Sequence, residues 1–335
     1  MVFQDRKTAA GMQLLVGFQG LTAEQELTFL IRDYAIGGIV LFKRNIAGPE
    51  QLRSLLNEAQ QCALETLKRP LWVAIDQEGG PVQRLAPPYT RLPAARELAE
   101  QGEPAVIHWA TVAARELQES GIHINFAPVL DVISGPEPHF LGARSLGSDA
   151  REVAHLGRLW IRTVQQGGVS ATAKHFPGLG RAELDPHHFA PVIRWAGDQA
   201  REWDLLPFKA AIQEGVHGVM TSHALYPSLD SEWPATLSPQ INARLLREQL
   251  GFEGVLFSDD LDMAAICQRY SWADIVRQGL LSSIDWFLLC QHSENIEPFY
   301  LALTDAIRTD LSLAALHDAS LGRIERLARR HGMVG

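Results

Sequence analysis

Short apolar segments alternate with longer segments of helical periodicity along most of this chain of 335 residues. The run from Leu71 to Ile75 is continuously apolar, which is typical of a parallel strand buried on both faces. The predicted strands lie near 13–17, 38–42, 71–76, 122–130, 170–175, 217–223, 253–259 and 284–290. The predicted helices lie near 22–35, 48–67, 103–118, 150–166, 199–213, 238–249 and 271–281.

This alternation of strand and helix, repeated without a long linker, favours an α/β fold, a (β/α)8 barrel that fills 1–335 as one domain. The alternative is an open, doubly wound sheet, but its usual G-x-G-x-x-G fingerprint does not follow the first strand. The long irregular segments, 83–99 and 176–198, both follow predicted strands. Loops from strand to helix carry function in a barrel, so both segments are candidates for a site.

The charge and the cysteine content argue against several classes of protein. With 30 basic and 39 acidic residues the formal net charge is −9, so nucleic acid or an anionic membrane would be repelled. Cys62, Cys267 and Cys290 form no close pair, which indicates apolar core residues in a reducing compartment. The sequence has neither a secretion signal nor an apolar run of the ~18 residues that span a membrane, so we expect a cytoplasmic protein.

Polar side chains collect where the predicted strands end. They are Asp76, Gln77 and Glu78 after the third strand, Asp131 after the fourth, Lys174 and His175 after the fifth, His223 after the sixth, and Asp259 and Asp260 after the seventh. One such residue is usually structural, but several buried charges are costly unless they are paired or used. In a barrel these strand ends meet at one rim, so their convergence predicts a functional site.

Two of these strand ends have a composition that suits glycoside chemistry. The fifth strand leads into a glycine- and proline-rich loop that carries Asp185 and His187, so an imidazole lies close to a carboxylate. Asp259 ends an apolar strand, and strand alternation puts it on the same face as Val255 and Phe257. The pattern indicates an acid/base histidine on a loop and a carboxylate nucleophile on a rigid strand.

Five motifs follow one another along the chain. They are Ile75-Asp76-Gln77-Glu78-Gly79-Gly80-x-Val82-Gln83-Arg84, Asn125-Phe126-Ala127-Pro128-Val129-Leu130-Asp131-Val132, Gly142-x-Arg144-Ser145, Lys174-His175-Phe176-Pro177-Gly178-x-Gly180 with Asp185-x-His187 and Pro191, and Ser258-Asp259-Asp260-Leu261-x-Met263. Together they resemble the family 3 glycoside hydrolases, specifically the β-N-acetylglucosaminidase branch. The resemblance extends from about the first strand to the end and implies the same barrel. We expect no second α/β domain of the kind that larger members carry.

The resemblance implies that Asp259 is the nucleophile of a retaining glycosidase, which captures an oxocarbenium-like centre as a covalent glycosyl ester. It also implies that His187 is the general acid/base and that Asp185 is its partner, an exception to the usual two carboxylic acids. A nearby carboxylate stabilises the cationic imidazole, which donates a proton to the leaving oxygen and later accepts one from water. Asp260 is expected to point away and to make structural hydrogen bonds.

The resemblance further implies a set of residues that hold the sugar through hydrogen bonds. These residues are Asp76, Arg84, Arg144, Lys174 and His175. His223 is expected to line the pocket, with a buried, hydrogen-bonded role as the alternative. Asp131 and Glu78 are expected to support the site or the fold. No cofactor or metal ion is implied.

Some positions depart from the family pattern. Leu179 stands where the family usually has a histidine, Pro81 replaces a common arginine, and Pro186 occupies a variable position of the loop. Near the eighth strand, Ser282-Ser283-Ile284-Asp285 replaces an Ala-Gly-x-Asp pattern. None of these changes removes a predicted catalytic residue, but they could alter loop mobility or leaving-group preference.

Four functions remain open at this stage. The first, which we expect, is hydrolysis of terminal β-linked N-acetylglucosamine, with cell-wall fragments (the sugar joined to an anhydro-muramic acid peptide) as the implied substrates in peptidoglycan recycling. The second is transfer of the sugar to phosphate, because a histidine acid/base does not repel phosphate as a carboxylate would. The third is a metal-dependent hydrolase with His175, Asp185, His187 and His223 as ligands. The fourth is a sugar-binding barrel without catalysis, and the sequence does not give the oligomeric state.

Overall fold

Parallel strands form a closed barrel in the computed structural model, which describes residues 6–134, 139–182 and 191–333. The strands are β1 Leu14–Val16, β2 Gly38–Leu41, β3 Trp72–Ile75, β4 Ile124–Asn125, β5 Ser170–Phe176, β6 Gly218–Thr221, β7 Val255–Asp260 and β8 Trp286–Leu289. Each strand pairs with the next, and β1 pairs with β8, with Leu15 opposite Leu288, which closes the ring. The predicted (β/α)8 architecture is confirmed, and the alternative prediction of an open, doubly wound sheet is wrong.

Helices surround the barrel and connect its strands. They are α1 Arg6–Gly11, α2 Glu26–Tyr34, α3 Pro49–Leu67, α4 Ala95–Gln101, α5 Glu103–Glu119, α6 Ala150–Gln166, α7 Asp198–Gln213, α8 Ala264–Cys267, α9 Trp272–Leu281, α10 Ile296–Thr309 and α11 Leu311–Arg330. A π-helix, Gln240–Gln249, lies between β6 and β7. The predicted helix boundaries agree closely for α3, α5, α6, α7 and α9.

The core has two layers because both faces of each strand are buried. Inside the barrel, Trp286 packs against Phe257 and Trp72, with ring centroids 5.2 and 5.4 Å away. The alternate residues of the same strands, such as Leu256, pack outwards against the helices. Burial on both faces is the physical reason for the continuous apolar runs in the sequence.

Some predicted elements are wrong in detail. Helix α2 begins at Glu26 rather than near residue 22, and the predicted irregular segment 83–99 contains the start of α4. The Glu97 side chain accepts a hydrogen bond from the Ala94 N–H at 2.9 Å, which satisfies a free donor at the beginning of α4. Helices α10 and α11 follow β8 and were not among the predicted helices.

The fourth strand is also shorter than predicted. The segment 122–130 contains only the two residues of β4 in regular pairing, although Val129 forms an isolated bridge with Lys174. Pro128 lies in this segment and has no N–H to donate to a neighbouring strand. The chain therefore leaves the regular ladder earlier than its apolar composition suggests.

Candidate active site

The carboxyl ends of the strands surround a cavity of about 420 Å³. Six of the residues predicted from the sequence line it, namely Asp76, Arg84, Arg144, Lys174, His175 and Asp259. They come from β5, from β7, from the loop after β3 and from a short helical turn before α6. Parallel strands of a barrel all end at one rim, which is why residues so distant in sequence meet here.

Lys174 is the electrostatic centre of one wall of this cavity. The side chain is 2% exposed, and its Nζ lies 2.9 Å from Asp76 Oδ1 and 2.6 Å from Glu78 Oε1. Burial alone would lower the pKa of Lys174, but the two carboxylates raise it above its usual value. Burial alone would likewise raise the pKa of Asp76, but Lys174 and Arg84 hold it well below its usual range. The wall therefore carries an ammonium and ionised carboxylates at neutral pH.

Two arginines complete this network. Arg84 Nη2 lies 3.1 Å from Asp76 Oδ2, and Arg144 donates to both oxygens of Glu78, at 2.8 and 2.9 Å. Burial alone would raise the pKa of Glu78, but Lys174 and Arg144 lower it. Asp76 thus uses one oxygen for each cation, and Glu78 holds Arg144 against the cavity wall. The buried position of Glu78 agrees with the supporting role expected for it.

His175 is held from behind by Asp131. The His175 Nδ1 lies 2.7 Å from Asp131 Oδ2, and Asp131 is fully buried. Asp131 Oδ1 also accepts the N–H of Leu179 at 2.6 Å. An aspartate that binds Nδ1 fixes the orientation of the ring and leaves the other edge for the cavity. Leu179, one of the departures from the family pattern, places its side chain on the cavity wall.

Asp259 lies near the end of β7 and faces the cavity, on the interior side of the strand that also carries Val255 and Phe257. Its Oδ1 accepts the N–H of Asp260 at 2.8 Å. Burial alone would raise the pKa of Asp259, but His223 and His175, with that hydrogen bond, lower it. Asp259 is therefore an ionised carboxylate at neutral pH, as a carboxylate nucleophile must be.

Asp260 behaves differently from the sequence-based expectation. Its Oδ1 accepts the N–H groups of Cys290 at 3.0 Å and Asp262 at 3.2 Å, which are structural hydrogen bonds as predicted. However, Asp260 also lines the cavity, so the expectation that it points away is wrong. Burial and the charge of Asp262 raise the pKa of Asp260 to about 8.

His223 lies behind the cavity wall. It is buried, with Nδ1 2.7 Å from the Thr236 hydroxyl and Nε2 2.9 Å from the backbone carbonyl of Asp260. It is not among the described residues that line the cavity, and this placement agrees with the buried, hydrogen-bonded alternative. Through the Asp260 carbonyl it supports the strand end that presents Asp259.

The two predicted residues of the acid/base pair, Asp185 and His187, lie outside the described residues. The chain is described up to Ala182 and again from Pro191, whose carbonyl accepts the N–H of Leu225 at 2.9 Å. Their proposed roles stay predictions.

The structure also adds cavity residues that sequence reasoning missed. Phe42 lines the cavity at the end of β2, and the guanidinium groups of Arg44 and Arg84 lie over its ring at 4.5 and 5.2 Å. An aromatic residue at the end of a predicted strand was the available signal. Cys290 and Cys267 also line the cavity. Cys267 is only half-buried, so the expectation that all three cysteines are core residues is wrong for Cys267.

The described ranges lack two features, a membrane-spanning helix and a cluster of metal ligands. None of their helices is both long and apolar enough to span a bilayer. No group of three or more His, Cys, Asp or Glu side chains within these ranges is placed to hold a metal ion. The metal-dependent alternative includes Asp185 and His187 as ligands, and these two residues lie outside the described ranges.

Comparison with known proteins identifies the family. Residues 8–327 match the family described as Glycosyl hydrolase family 3 N terminal domain. The chain belongs to glycoside hydrolase family 3. The β-hexosaminidase of Alkalilimnicola ehrlichii is 36% identical over 313 residues, which cover 91% of this chain and 88% of that protein.

Solved structures agree with this assignment. A family 3 β-N-acetylglucosaminidase from Paenibacillus sp. str. FPU-7 matches with a TM-score of 0.94 and 36% identity, over 99% of this chain and 64% of that one. The β-N-acetylhexosaminidase of Beutenbergia cavernae matches with a TM-score of 0.90 and 31% identity, over 98% of this chain and 99% of that one. The predicted branch of the family is confirmed, and so is the enzyme class, a glycoside hydrolase of the β-N-acetylhexosaminidase type.

Proposed function

We propose that this family 3 hydrolase removes terminal, non-reducing β-linked N-acetylglucosamine with retention of configuration. The single observation that carries the proposal is Asp259, an ionised carboxylate on a rigid strand end that faces a polar cavity. The names of its relatives support the sugar. The proposed substrates are cell-wall fragments in which this sugar is joined to an anhydro-muramic acid peptide. A cytoplasmic location stays a prediction.

The proposed reaction has two displacements. In the first, Asp259 attacks the anomeric carbon while the glycosidic C–O bond breaks, and His187, with Asp185 as its partner, gives its proton to the departing oxygen. In the second, His187 accepts a proton from water as the water oxygen displaces Asp259 from the anomeric carbon. The products are the free sugar and the alcohol of the aglycone, and two inversions give net retention.

The wall that contains Lys174 supplies donors for the sugar hydroxyls. An ammonium group has three N–H donors, and Lys174 directs two of them to Asp76 and Glu78, which leaves one for a ligand. The guanidinium of Arg84 also lines the cavity, and only one of its five N–H donors goes to Asp76, so it offers a further donor. Because these groups are fixed by ion pairs before a sugar arrives, little side-chain ordering is required on binding.

The first experiment separates hydrolysis from transfer to phosphate. Aryl β-N-acetylglucosaminides with a series of leaving groups are incubated with and without inorganic phosphate, and the sugar products are identified by NMR. We expect free N-acetylglucosamine, first released as the β-anomer, under both conditions. Formation of the sugar 1-phosphate would establish the phosphorylase instead, and initial release of the α-anomer would refute the double displacement.

The second experiment tests the nucleophile. Asp259→Ala is expected to abolish cleavage while leaving the far-UV circular dichroism and the thermal unfolding temperature close to those of the wild type. Azide, a small external nucleophile, is expected to restore cleavage of an activated aryl glycoside and to give the α-glycosyl azide. Asp149→Asn is the matched control, because asparagine keeps the N-cap hydrogen bonds of α6 at an exposed carboxylate that does not line the cavity. Near-normal activity of Asp259→Ala without azide would contradict the assignment.

The third experiment tests the acid/base. His187→Ala is expected to slow substrates with poor leaving groups far more than activated ones, because only the former need protonation of the leaving oxygen. The measurement is kcat/KM across the same aryl series, because kcat/KM reports on the first displacement, whereas kcat on activated substrates also depends on the second displacement, in which His187 acts as base. An equal loss on both kinds of substrate would contradict the role of His187 as acid.

A further inference from the structure

A buried carboxylate, Asp204, joins the two described segments that flank the predicted acid/base loop. Asp204 lies on α7 and is 2% exposed. Its Oδ2 accepts one hydrogen bond from Arg181 Nε at 2.6 Å and another from Trp195 Nε1 at 2.7 Å. Arg181 precedes residues 183–190 and Trp195 follows them, so one oxygen atom connects both sides of that segment.

The carboxylate has no other hydrogen-bond partner among the described residues. Asp204 Oδ1 is buried and has no partner among the described residues, so the two hydrogen bonds to Oδ2 are the ones that compensate for the burial of the carboxylate. Burial raises the pKa of Asp204, while Arg181 and Trp195 act against that rise. A buried carboxylate is costly to the fold unless it is paired, and an apolar side chain would avoid the cost. The hydrogen bonds from Arg181 and Trp195 reduce this cost, so the position of the carboxylate is coupled to the positions of both donors.

The surrounding contacts hold each flank in place. On the first flank, the Tyr226 hydroxyl donates to the Gly178 carbonyl at 2.9 Å, and the backbone of Gly178 packs directly against the Asp204 side chain. On the second, the Trp195 ring packs on Tyr226 with centroids 5.2 Å apart, and the Ile193 N–H donates to the Leu225 carbonyl. Both flanks therefore contact the loop after β6. Asp204 connects the two flanks through its hydrogen bonds with Arg181 and Trp195.

We propose that Asp204 is a positioning residue for the acid/base step: through Arg181 and Trp195 it fixes both ends of the segment that carries Asp185 and His187. This inference rests on the proposed function, because it concerns the step that His187 performs. These three residues, Arg181, Trp195 and Asp204, are here called the clamp. Effective proton transfer requires the donor to be held close to the leaving oxygen, and a displacement of ~1 Å can cost ~100-fold in rate.

Two variants weaken the clamp without removing bulk. Asp204→Asn keeps an acceptor oxygen but removes the charge that holds Arg181. Trp195→Phe removes the Nε1–H donor and keeps an aromatic ring against Tyr226, so it tests the clamp even where Asp204→Asn fails to fold. Arg162→Gln is the control, since it breaks a solvent-exposed ion pair with Glu214 on the outside of the barrel.

The measurement is kcat/KM for an activated and a poor leaving group, together with the pH profile and the thermal unfolding temperature. We expect each clamp variant to lose about tenfold in kcat/KM on the poor leaving group and less than about twofold on the activated one. We expect Arg162→Gln to change neither. Equal losses on both substrates, or no loss on either, would overturn the proposal, because a merely structural residue has no leaving-group dependence.

The same assay on His187→Ala distinguishes two kinds of failure. If His187→Ala shows leaving-group dependence and the clamp variants do not, the proposed function stands and the clamp is wrong. If His187→Ala shows none, the proposed role of His187 is wrong, and the clamp proposal falls with it.

Discussion

Three histidines around the amino ends of the strands are expected to make the fold sensitive to mild acid: His123 and His217 precede β4 and β6, and His331 follows α11 and contacts Ser170 at the start of β5. His123, His217 and His331, here called the floor histidines, lie at the end of the barrel opposite the cavity. The Ser170 hydroxyl contacts His217 Nδ1 at 3.0 Å and His331 Nε2 at 2.7 Å. His123 Nδ1 accepts the N–H of Val73 at 3.1 Å, so it needs its lone pair. These contacts favour the neutral form of the floor histidines.

The direction of the effect follows from the pKa values. Burial lowers the pKa of His123 from 6.5 to about 4, with His331 adding to the effect, and burial together with Arg330 and His331 lowers that of His217 to about 4. Between pH 6.5 and 4, His123 and His217 bind more protons in the unfolded chain than in the folded protein. Stability is therefore fully present above the unfolded pKa and is lost as the pH falls through this window.

The magnitude follows from the same values. A fall in pKa from 6.5 to about 4 corresponds to at most ~3 kcal/mol per histidine, and about 2 kcal/mol of it is lost by pH ~5. Both rings are half-buried, and screening by solvent reduces the loss to about 1 kcal/mol each. We expect His123 and His217 together to make the free energy of unfolding about 2 kcal/mol smaller at pH ~5 than at pH ~7.

The test is urea unfolding at both pH values for the wild type and for the double variant His123→Asn/His217→Asn. Asparagine places an acceptor oxygen near the position of Nδ1, so the Val73 and Ser170 contacts are retained without a titrating group. The raised pKa of Asp260 has the opposite effect, since its folded state gains a proton as the pH falls. Asp260 contributes equally to both proteins, so the difference between them isolates the histidines.

The wild type is expected to lose about 2 kcal/mol more than the double variant between the two pH values. His155→Asn is the control, because His155 is half-exposed and pairs with Glu103 on the surface. Losses that agree within ~0.5 kcal/mol for wild type and double variant would refute the reasoning.

Further substitutions test the packing and the charge network, with urea unfolding as the measurement. Lys174→Met leaves buried carboxylates without their cation, and we expect a destabilisation of about 3–5 kcal/mol with loss of sugar binding by calorimetry. Gly180→Ala puts a Cβ 2.0 Å from the Val132 carbonyl, and we expect a loss of about 3 kcal/mol. Gly322→Ala, where a Cβ on α11 meets open space, is expected to stabilise by about 0.5–1 kcal/mol. A stable Lys174→Met, or alanine variants of equal stability, would contradict these expectations.

The fold was predictable because its strands have a strong and unusual pattern. A buried parallel strand such as Leu71–Ile75 is apolar throughout, and eight such runs separated by helical periodicity leave few architectures. Boundaries were less predictable where a tertiary contact decides them. Helix α4 begins where the Glu97 side chain caps its first turn, and β4 ends shortly before a proline. Neither the cap nor the proline changes the periodicity of the apolar residues, so the sequence pattern does not mark these boundaries.

The rim of the site was predictable for a geometric reason, and its internal pairing was not. Once a barrel is assumed, polar residues at the ends of its strands must converge. The sequence does not reveal that one carboxylate oxygen of Asp76 accepts a hydrogen bond from Lys174 and the other from Arg84, because such pairing depends on side-chain geometry. The floor histidines were missed for the same reason, since their contacts join distant parts of the chain.

Asp259 and Asp260 show how the site distinguishes two adjacent residues of the same type. Burial alone would raise both pKa values, so the charges that each one faces decide the outcome. Asp259 faces His223 and His175, and its pKa is lowered, whereas Asp260 faces Asp262, and its pKa is raised to about 8. At neutral pH Asp259 is an anion, whereas Asp260 is largely protonated, and only an anion can attack an anomeric carbon as a carboxylate nucleophile. The environment thus supports the first aspartate as the proposed nucleophile on grounds independent of its place in the motif.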